Sequence, residues 1–283
     1  MFGSHLSIAG GMHNALLEAE RLGCATVQVF TKNQQQWKCS PLPQEAIDQW
    51  ISHRDRLKFS QTVSHDSYLI NLASPDEALR EKSIALFVEE IRRCALLGIP
   101  YLVTHPGAHM GQGEDVGLKR VAEALDMAHE QVAAVGVTTC LEITAGQGSS
   151  LGYKLEHLAT IMELVKAPER LGICLDTAHL FAAGYDFRGR KYAAFRRQIE
   201  ATVGVKSIKV LHLNDSKKEL GSRVDRHDHI GRGLIGLDGF KPFVRDKQFA
   251  GIPKILETPK DKEPESGRDW DEINLETLRG LME

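Results

Sequence analysis

The sequence predicts an α/β fold, a single (β/α)8 TIM barrel spanning residues 1–283. Three observations point to it. Eight short strand-like runs are mostly apolar throughout rather than alternating, as parallel strands buried on both faces are. Their starts recur about every 35 residues, room for one strand and one crossover helix. No Pro-, Ser- or Gly-rich linker and no composition break divides the chain. One barrel is therefore preferred over two domains of about 150 residues each, and over a doubly wound open sheet, which usually has fewer strands.

In order, the runs are SHLSIA from Ser4, TVQVFT from Thr26, QTVSH from Gln61, YLVTH from Tyr101, TTCLEI from Thr138, LGICLD from Leu171, SIKVLHL from Ser207 and PKILET from Pro253. The clearest helices between them are expected over residues 76–97, 115–135 and 155–165. Ser74-Pro75 precedes the first of these, and Gly98 stops it. Gly23 and Gly136 end their helices in the same way. The longest irregular stretch, residues 214–239, is polar and rich in Gly, Asp and His. A loop of that length inside a compact domain is usually functional. The charged segment 260–270 reads as surface, followed by a last short helix.

Composition excludes several classes. With 42% hydrophobic residues and a formal charge of −3, the chain is not of the disordered type. No run approaches the roughly 20 apolar residues of a membrane span. The opening MFGSHLSIAGGM has neither a basic segment nor a long apolar one, so no signal peptide is expected. Five widely spaced cysteines without a CxxC suit reduced thiols and a cytoplasmic protein. The slightly acidic total argues, by itself, against a nucleic-acid partner.

Barrel enzymes carry their chemistry at the C-terminal ends of the strands. Six consecutive strands each end in a histidine or carboxylate: His65, His105, Glu142, Asp176, His212 and Glu257. Any one of them alone reads as a loop histidine, a helix cap or a solvated charge. Together they are hard to explain so, because no matching set of Lys or Arg ends the same strands to neutralise them. Metal ions would satisfy all six. His179 follows Asp176 by three residues. Asp225 and His227 stand two apart in the long loop, where extended backbone points both side chains one way. His229 suits a supporting or phosphate-contacting role. Five histidines and four carboxylates, with no Cys, suit Zn²⁺, Mn²⁺ or Fe²⁺ better than Ca²⁺ or Mg²⁺. Nine ligands fit three ions if one or two carboxylates bridge. Clustered ions are the chemistry of phosphate ester hydrolysis.

The segments FTKNQQQW from Phe30, HDSYLINLASP from His65, THPGAH from Thr104, LEITAGQG from Leu141, LDTAHLFAAGYD from Leu175, HLNDSKKELGSRVDRHDHIGRG from His212 and LETP from Leu256 resemble the endonuclease IV family of apurinic/apyrimidinic endonucleases, across essentially the whole chain and in order. The resemblance implies three zinc ions, with Mn²⁺ or Fe²⁺ admissible at one site. It assigns His65, His105 and Glu142 to the first ion. Glu142, Asp176, His212 and Glu257 go to the second, with Glu142 bridging as the catalytic carboxylate, and His179, Asp225 and His227 to the third. It implies hydrolysis of the phosphodiester 5′ to an abasic site in double-stranded DNA, leaving a 3′-OH and a 5′-deoxyribose phosphate, with trimming of blocked 3′ ends. It also implies a monomer whose rim loops flip the damaged nucleotide out. Tyr68 and Leu69 match family residues that fill the gap in the helix, and Gln35 stands where many members insert an arginine. Ile143 replaces a common asparagine beside the bridging glutamate, which removes a hydrogen-bond donor.

Two rivals give different expectations. A metal-dependent sugar isomerase shares the barrel and a Glu/Asp/His/Glu rim but has no use for a third site. A non-catalytic binder of damaged DNA need not keep an open metal position. For the enzyme reading, three Zn²⁺ bring the formal charge from −3 to about +3. Lys32, Lys38, Lys217, Lys218, Arg223, Arg226 and Arg232 then fall near the site to meet phosphates.

Overall fold

A computed structural model describes residues 1–133 and 135–283. The chain alternates strand and helix. β1 (Phe2–Ser4), α1 (Asn14–Arg21), β2 (Gln28–Val29), α2 (Gln44–Leu57), β3 (Val63–His65) and α3 (Glu77–Leu97) come first. β4 (Tyr101–Thr104), α4 (Glu114–Gln131), β5 (Thr138–Glu142), α5 (Leu155–Leu164), β6 (Leu171–Asp176), α6 (Thr177–Ala183), α7 (Tyr192–Thr202) and β7 (Ile208–His212) follow. A short ribbon of β8 (Asp215–Ser216) and β9 (His227–Asp228) precedes α8 (Leu237–Arg245), β10 (Lys254–Leu256) and α9 (Trp270–Gly280).

Eight of these strands form one parallel sheet in the order β1-β10-β7-β6-β5-β4-β3-β2. A parallel bridge between His5 and Gln28, with Leu6 N donating to Gln28 O at 2.9 Å, joins the two ends and closes the barrel. Gly3 makes that seam possible, because a Cβ there would overlap the Thr26 carbonyl. The fold class read from the sequence is thus observed.

Local signals act as expected at several ends. Asp76 caps α3 by accepting from Leu79 N, and Gly98 closes it in the left-handed conformation. α4 stops at Gln131 and not at 135; residue 134, within the expected extension, lies outside the described residues. The long loop is not wholly irregular. β8 and β9 pair antiparallel, Asp215 opposite Asp228 and Ser216 opposite His227.

Two apolar clusters hold the fold. The larger lies between helices and the outer barrel wall. The smaller fills the barrel interior with Val63, Val103, Cys140, Cys174, Val210 and Ile255, all fully buried. Each is followed two residues later by one of the six rim side chains predicted from the sequence. The period of two along a strand returns both to the barrel interior, one layer apart.

Candidate metal centre

β3, β5, β6, β7 and β10 deliver His65, Glu142, Asp176, His212 and Glu257 to one rim, and the loop after β4 delivers His105. Glu142 is the hub and is fully buried. Its Oε2 faces His65 Nε2 at 3.1 Å and His105 Nε2 at 3.2 Å. Its Oε1 faces His212 Nδ1 at 3.0 Å and His179 Nδ1 at 3.2 Å. One carboxylate therefore serves two groups of imidazoles, one oxygen each. Glu257 Oε2 approaches His212 Nδ1 at 3.0 Å, and Asp176 Oδ2 lies 3.9 Å from the same nitrogen.

Three ligand groups read from the sequence meet in space. His65, His105 and Glu142 form one cluster of donor atoms, and Glu142, Asp176, His212 and Glu257 a second. The third is centred on Asp176, His179 and His227. Asp225 touches that third group from the loop, with Oδ2 3.2 Å from His179 Nε2 and Oδ1 3.2 Å from His227 Nε2. All nine expected ligands are thus brought together. His229 is not: it stacks on Trp270 at 3.9 Å and pairs with Asp261 at 3.3 Å.

The residues fit metal ions on three counts. Among the described residues, the carboxylates of Glu142, Asp176, Asp225 and Glu257 have ion-pair partners that are histidines, with no Lys or Arg. Burying Glu142 and Asp176 fully and Glu257 in large part without a cation is costly. His227 Nε2 is buried and has no hydrogen-bond partner. Finally, the outward ring nitrogens are tied down as metal-ligating histidines usually are. His65 Nδ1 donates to Asp66 O at 2.9 Å, His179 Nδ1 to Ile143 O at 2.9 Å and His227 Nδ1 to Glu257 O at 3.2 Å. The carbonyl of residue 143 holds His179, so the Ile143 side chain costs this imidazole nothing.

Electrostatics report the same excess of negative charge. Burial would push the His65 imidazole down, but Glu142 against it raises it to about 9. His179 and His212 are likewise raised well above the ordinary range against the pull of burial, His179 by Asp176, Asp225 and Glu142, and His212 by the Cys174 thiol together with Glu257 and Glu142. Burial would lift Glu142 and Glu257, yet the facing histidines hold both well below it. Asp225 is lowered to about 2, His179 outweighing its burial. Protons on the imidazoles do in part what a divalent cation would do better.

Several supporting residues gave no sequence signal. Asn214, fully buried, donates to Asp176 Oδ2 at 2.6 Å and accepts from Glu257 N at 2.7 Å. Asp176 Oδ1 meanwhile accepts from His179 N at 2.8 Å, so the same carboxylate caps α6. Asp215 organises the long loop: its carboxylate accepts from Ser216 N, Gly231 N and Ile235 N at 2.8, 2.9 and 2.9 Å. Gly233 packs so closely on Asp215 that a Cβ there would clash. Gln28 and His5 reach Glu257 from the closing seam. A polar residue inside an apolar run was the only available hint.

At the mouth, Tyr68 is 62% exposed and stands over His65 and His105, with ring centroids 5.5 and 6.1 Å away. It divides two cavities. One, of about 550 Å³, runs past His105, Gly146 and Asp225, and the other, of about 740 Å³, past His5, Phe30 and Gln35. Leu69 is half-buried beside Tyr68, and Gln35 is exposed. Lys38, Lys217, Lys218, Arg223, Arg226 and Arg232 are exposed as expected. Lys32 is not. It is buried, 4.0 Å from Glu90, and donates to Asn33 O at 2.9 Å, because the loop folds its side chain inward to neutralise a buried carboxylate.

Residues 16–280 match the family model described as a xylose isomerase-like TIM barrel. A Chloroflexus aurantiacus protein named "Probable endonuclease 4" is 48% identical over 285 residues, covering 100% of this chain and 98% of that one. The crystal structure of endonuclease IV from Thermus thermophilus superposes with a TM-score of 0.87 at 35% identity, covering 99% of this chain and 98% of that one. A D-tagatose 3-epimerase-like protein shares the fold, with a TM-score of 0.75 at 19% identity over 99% of this chain and 96% of that one.

Proposed function

The chain belongs to the endonuclease IV family, and from that premise we propose that it is a zinc-dependent apurinic/apyrimidinic endonuclease of base-excision repair. It hydrolyses the phosphodiester 5′ to an abasic site in duplex DNA, leaves a 3′-OH and a 5′-deoxyribose phosphate, and trims blocked 3′ ends. The observation that carries the reading is the convergence of four carboxylates and five histidines on one rim with no Lys or Arg among their ion-pair partners in the described residues. A sugar-isomerase reading leaves the group around His179, Asp225 and His227 without work.

His65, His105 and Glu142 would hold one ion. Glu142, Asp176, His212 and Glu257 would hold a second, and His179, Asp225 and His227 a third. When bound, such ions activate water at neutral pH, hold phosphoryl oxygens and stabilise the leaving oxygen. The chain's own work is geometric. Glu142 fixes the spacing of the two inner groups through its two oxygens, and Asn214 and the main-chain carbonyls fix the rings and carboxylates around it. Tyr68, with Leu69 beside it, fills the space left in the base stack by the displaced nucleotide. Gln35 lines the adjoining cavity, and its short uncharged side chain limits penetration of the stack. Exposed Arg223, Arg226, Lys217 and Lys218 meet phosphates. Five free cysteines suit action in the cytoplasm, and the protein acts as a monomer.

The test is a duplex carrying one tetrahydrofuran abasic analogue, incubated with purified protein and no added Mg²⁺. A single cut on the 5′ side is expected. An intact duplex, with zinc shown to be bound, would overturn the assignment.

A further inference from the structure

Three of the imidazoles at the rim are oriented by main-chain carbonyls, but His212 is oriented by a side chain from the opposite edge of the sheet. Gln28 lies on β2 with no exposed surface. Its Oε1 is 2.8 Å from His212 Nε2. Its Nε2 donates to Glu257 Oε1 at 2.6 Å and lies 2.9 Å from His5 Nδ1. The amide has one workable orientation. Turned over, its oxygen would face the Glu257 carboxylate, acceptor against acceptor. With the amide so fixed, its oxygen must receive a proton from His212 Nε2. His212 Nδ1 is then the nitrogen left to bind an ion, pointing at Glu142 Oε1 and Glu257 Oε2, each 3.0 Å away.

We infer that Gln28 is a positioning residue that selects the Nε2–H tautomer of His212, makes Nδ1 its metal-binding atom, and turns Glu257 toward the same point. This rests on the metal reading above. The residue also explains how the seam is coupled to the site. β1 and β2 are the two edges of the sheet, and the parallel bridge between His5 and Gln28 joins them. The side chains of those same two residues tie to Glu257 just past β10, and Gln28 also ties to His212 on β7. The residues that close the barrel are therefore also the ones that set the second ligand group.

Gln28→Leu removes both contacts. Gln28→Glu keeps an acceptor for His212 Nε2–H but sets a carboxylate against Glu257. The experiment loads both variants and the wild type with zinc. It counts ions per chain by mass spectrometry, follows their release to a chelator, and records long-range ¹H–¹⁵N spectra of histidine-labelled protein, with His212→Asn identifying the signal. The expected wild-type pattern is a protonated Nε2 with Nδ1 bare. In Gln28→Leu that pattern should be lost and one class of ion should bind about 10- to 100-fold more weakly. In Gln28→Glu the tautomer should persist while the same ion is weakened. An unchanged tautomer and unchanged retention in Gln28→Leu would overturn the inference. If Gln28→Leu does not fold, Gln28→Glu decides: weakened retention with the tautomer kept supports it, and wild-type retention overturns it. A wild type that holds no zinc would overturn the metal reading and this inference with it, whereas zinc held equally by the wild type and Gln28→Leu, with the tautomer unchanged, would overturn this inference alone.

Discussion

Two layers of the same barrel, one residue pair apart, do opposite work. Val63, Val103, Cys140, Cys174, Val210 and Ile255 form a dry plug. Two residues further along the same strands stand His65, His105, Glu142, Asp176, His212 and Glu257. The backbone device is identical, since alternate residues of a parallel strand return to the barrel interior. What differs is what satisfies the side chains. The lower layer is stabilised by leaving water. The upper layer buries charges that must be compensated by histidines, by amides such as Asn214 and Gln28, and by the ions the layer would hold. Stability and chemistry are thus largely stacked, with Cys174 as a crossing point, since its thiol lies within reach of Glu142 and His212; substitutions elsewhere in the plug should leave the rim's readout nearly untouched.

The strongest break in that separation is expected at Glu142, whose two oxygens serve both inner groups. Glu142→Gln should lower single-turnover incision of abasic duplex by about a thousandfold or more, roughly 4 kcal/mol in barrier height. Some DNA binding should be retained in a gel-shift assay and the fold should be intact by circular dichroism. Near-normal turnover would contradict the role of Glu142 as the shared ligand. The complementary change is Ile255→Ala in the plug. It should cost about 3 kcal/mol in urea unfolding, as truncation of a buried isoleucine does. Incision well below the melting temperature and zinc content should stay near wild type. Loss of zinc at unchanged stability would show that the layers are not separable.

The two layers also differ in how legible they were. The plug and the barrel follow from continuously apolar runs at regular spacing, a pattern that needs no long-range information. The nine candidate ligands could be read because charged groups ending apolar strands are conspicuous, and His227 and Asp225 because an unusually polar loop holds them. Gln28 and Asn214 could not be read in the same way. Each is a neutral amide whose value lies in partners far along the chain: Gln28 and His212 are 184 residues apart, and nothing local marks the pairing. Lys32 misled for the converse reason. A lysine in a rim loop looks like a phosphate contact until Glu90, on α3, is seen to draw it inward.

Histidine itself gives the finest test of the contrast, because the fold pushes it both ways. At the rim, carboxylates raise His65 to about 9. On α4, burial with Arg170 nearby lowers His129 to about 4, and its Nε2 sits 2.9 Å from Thr139 Oγ1 on β5. His129 is therefore neutral in the folded chain at pH values where the unfolded chain already holds a proton there. Between the ordinary 6.5 and about 4 the unfolded state binds more protons, so this residue's contribution is full above pH 6.5 and drains away on acidification. About 2 kcal/mol should be gone by pH 5. His129→Gln keeps a hydrogen-bonding group for Thr139 but cannot titrate. Urea unfolding from pH 7 to 4.5 should accordingly show a shallower loss of stability in the variant than in the wild type. Parallel curves would mean that burial of this imidazole is not what sets its protonation, and that the contrast between rim and wall rests on the carboxylates alone.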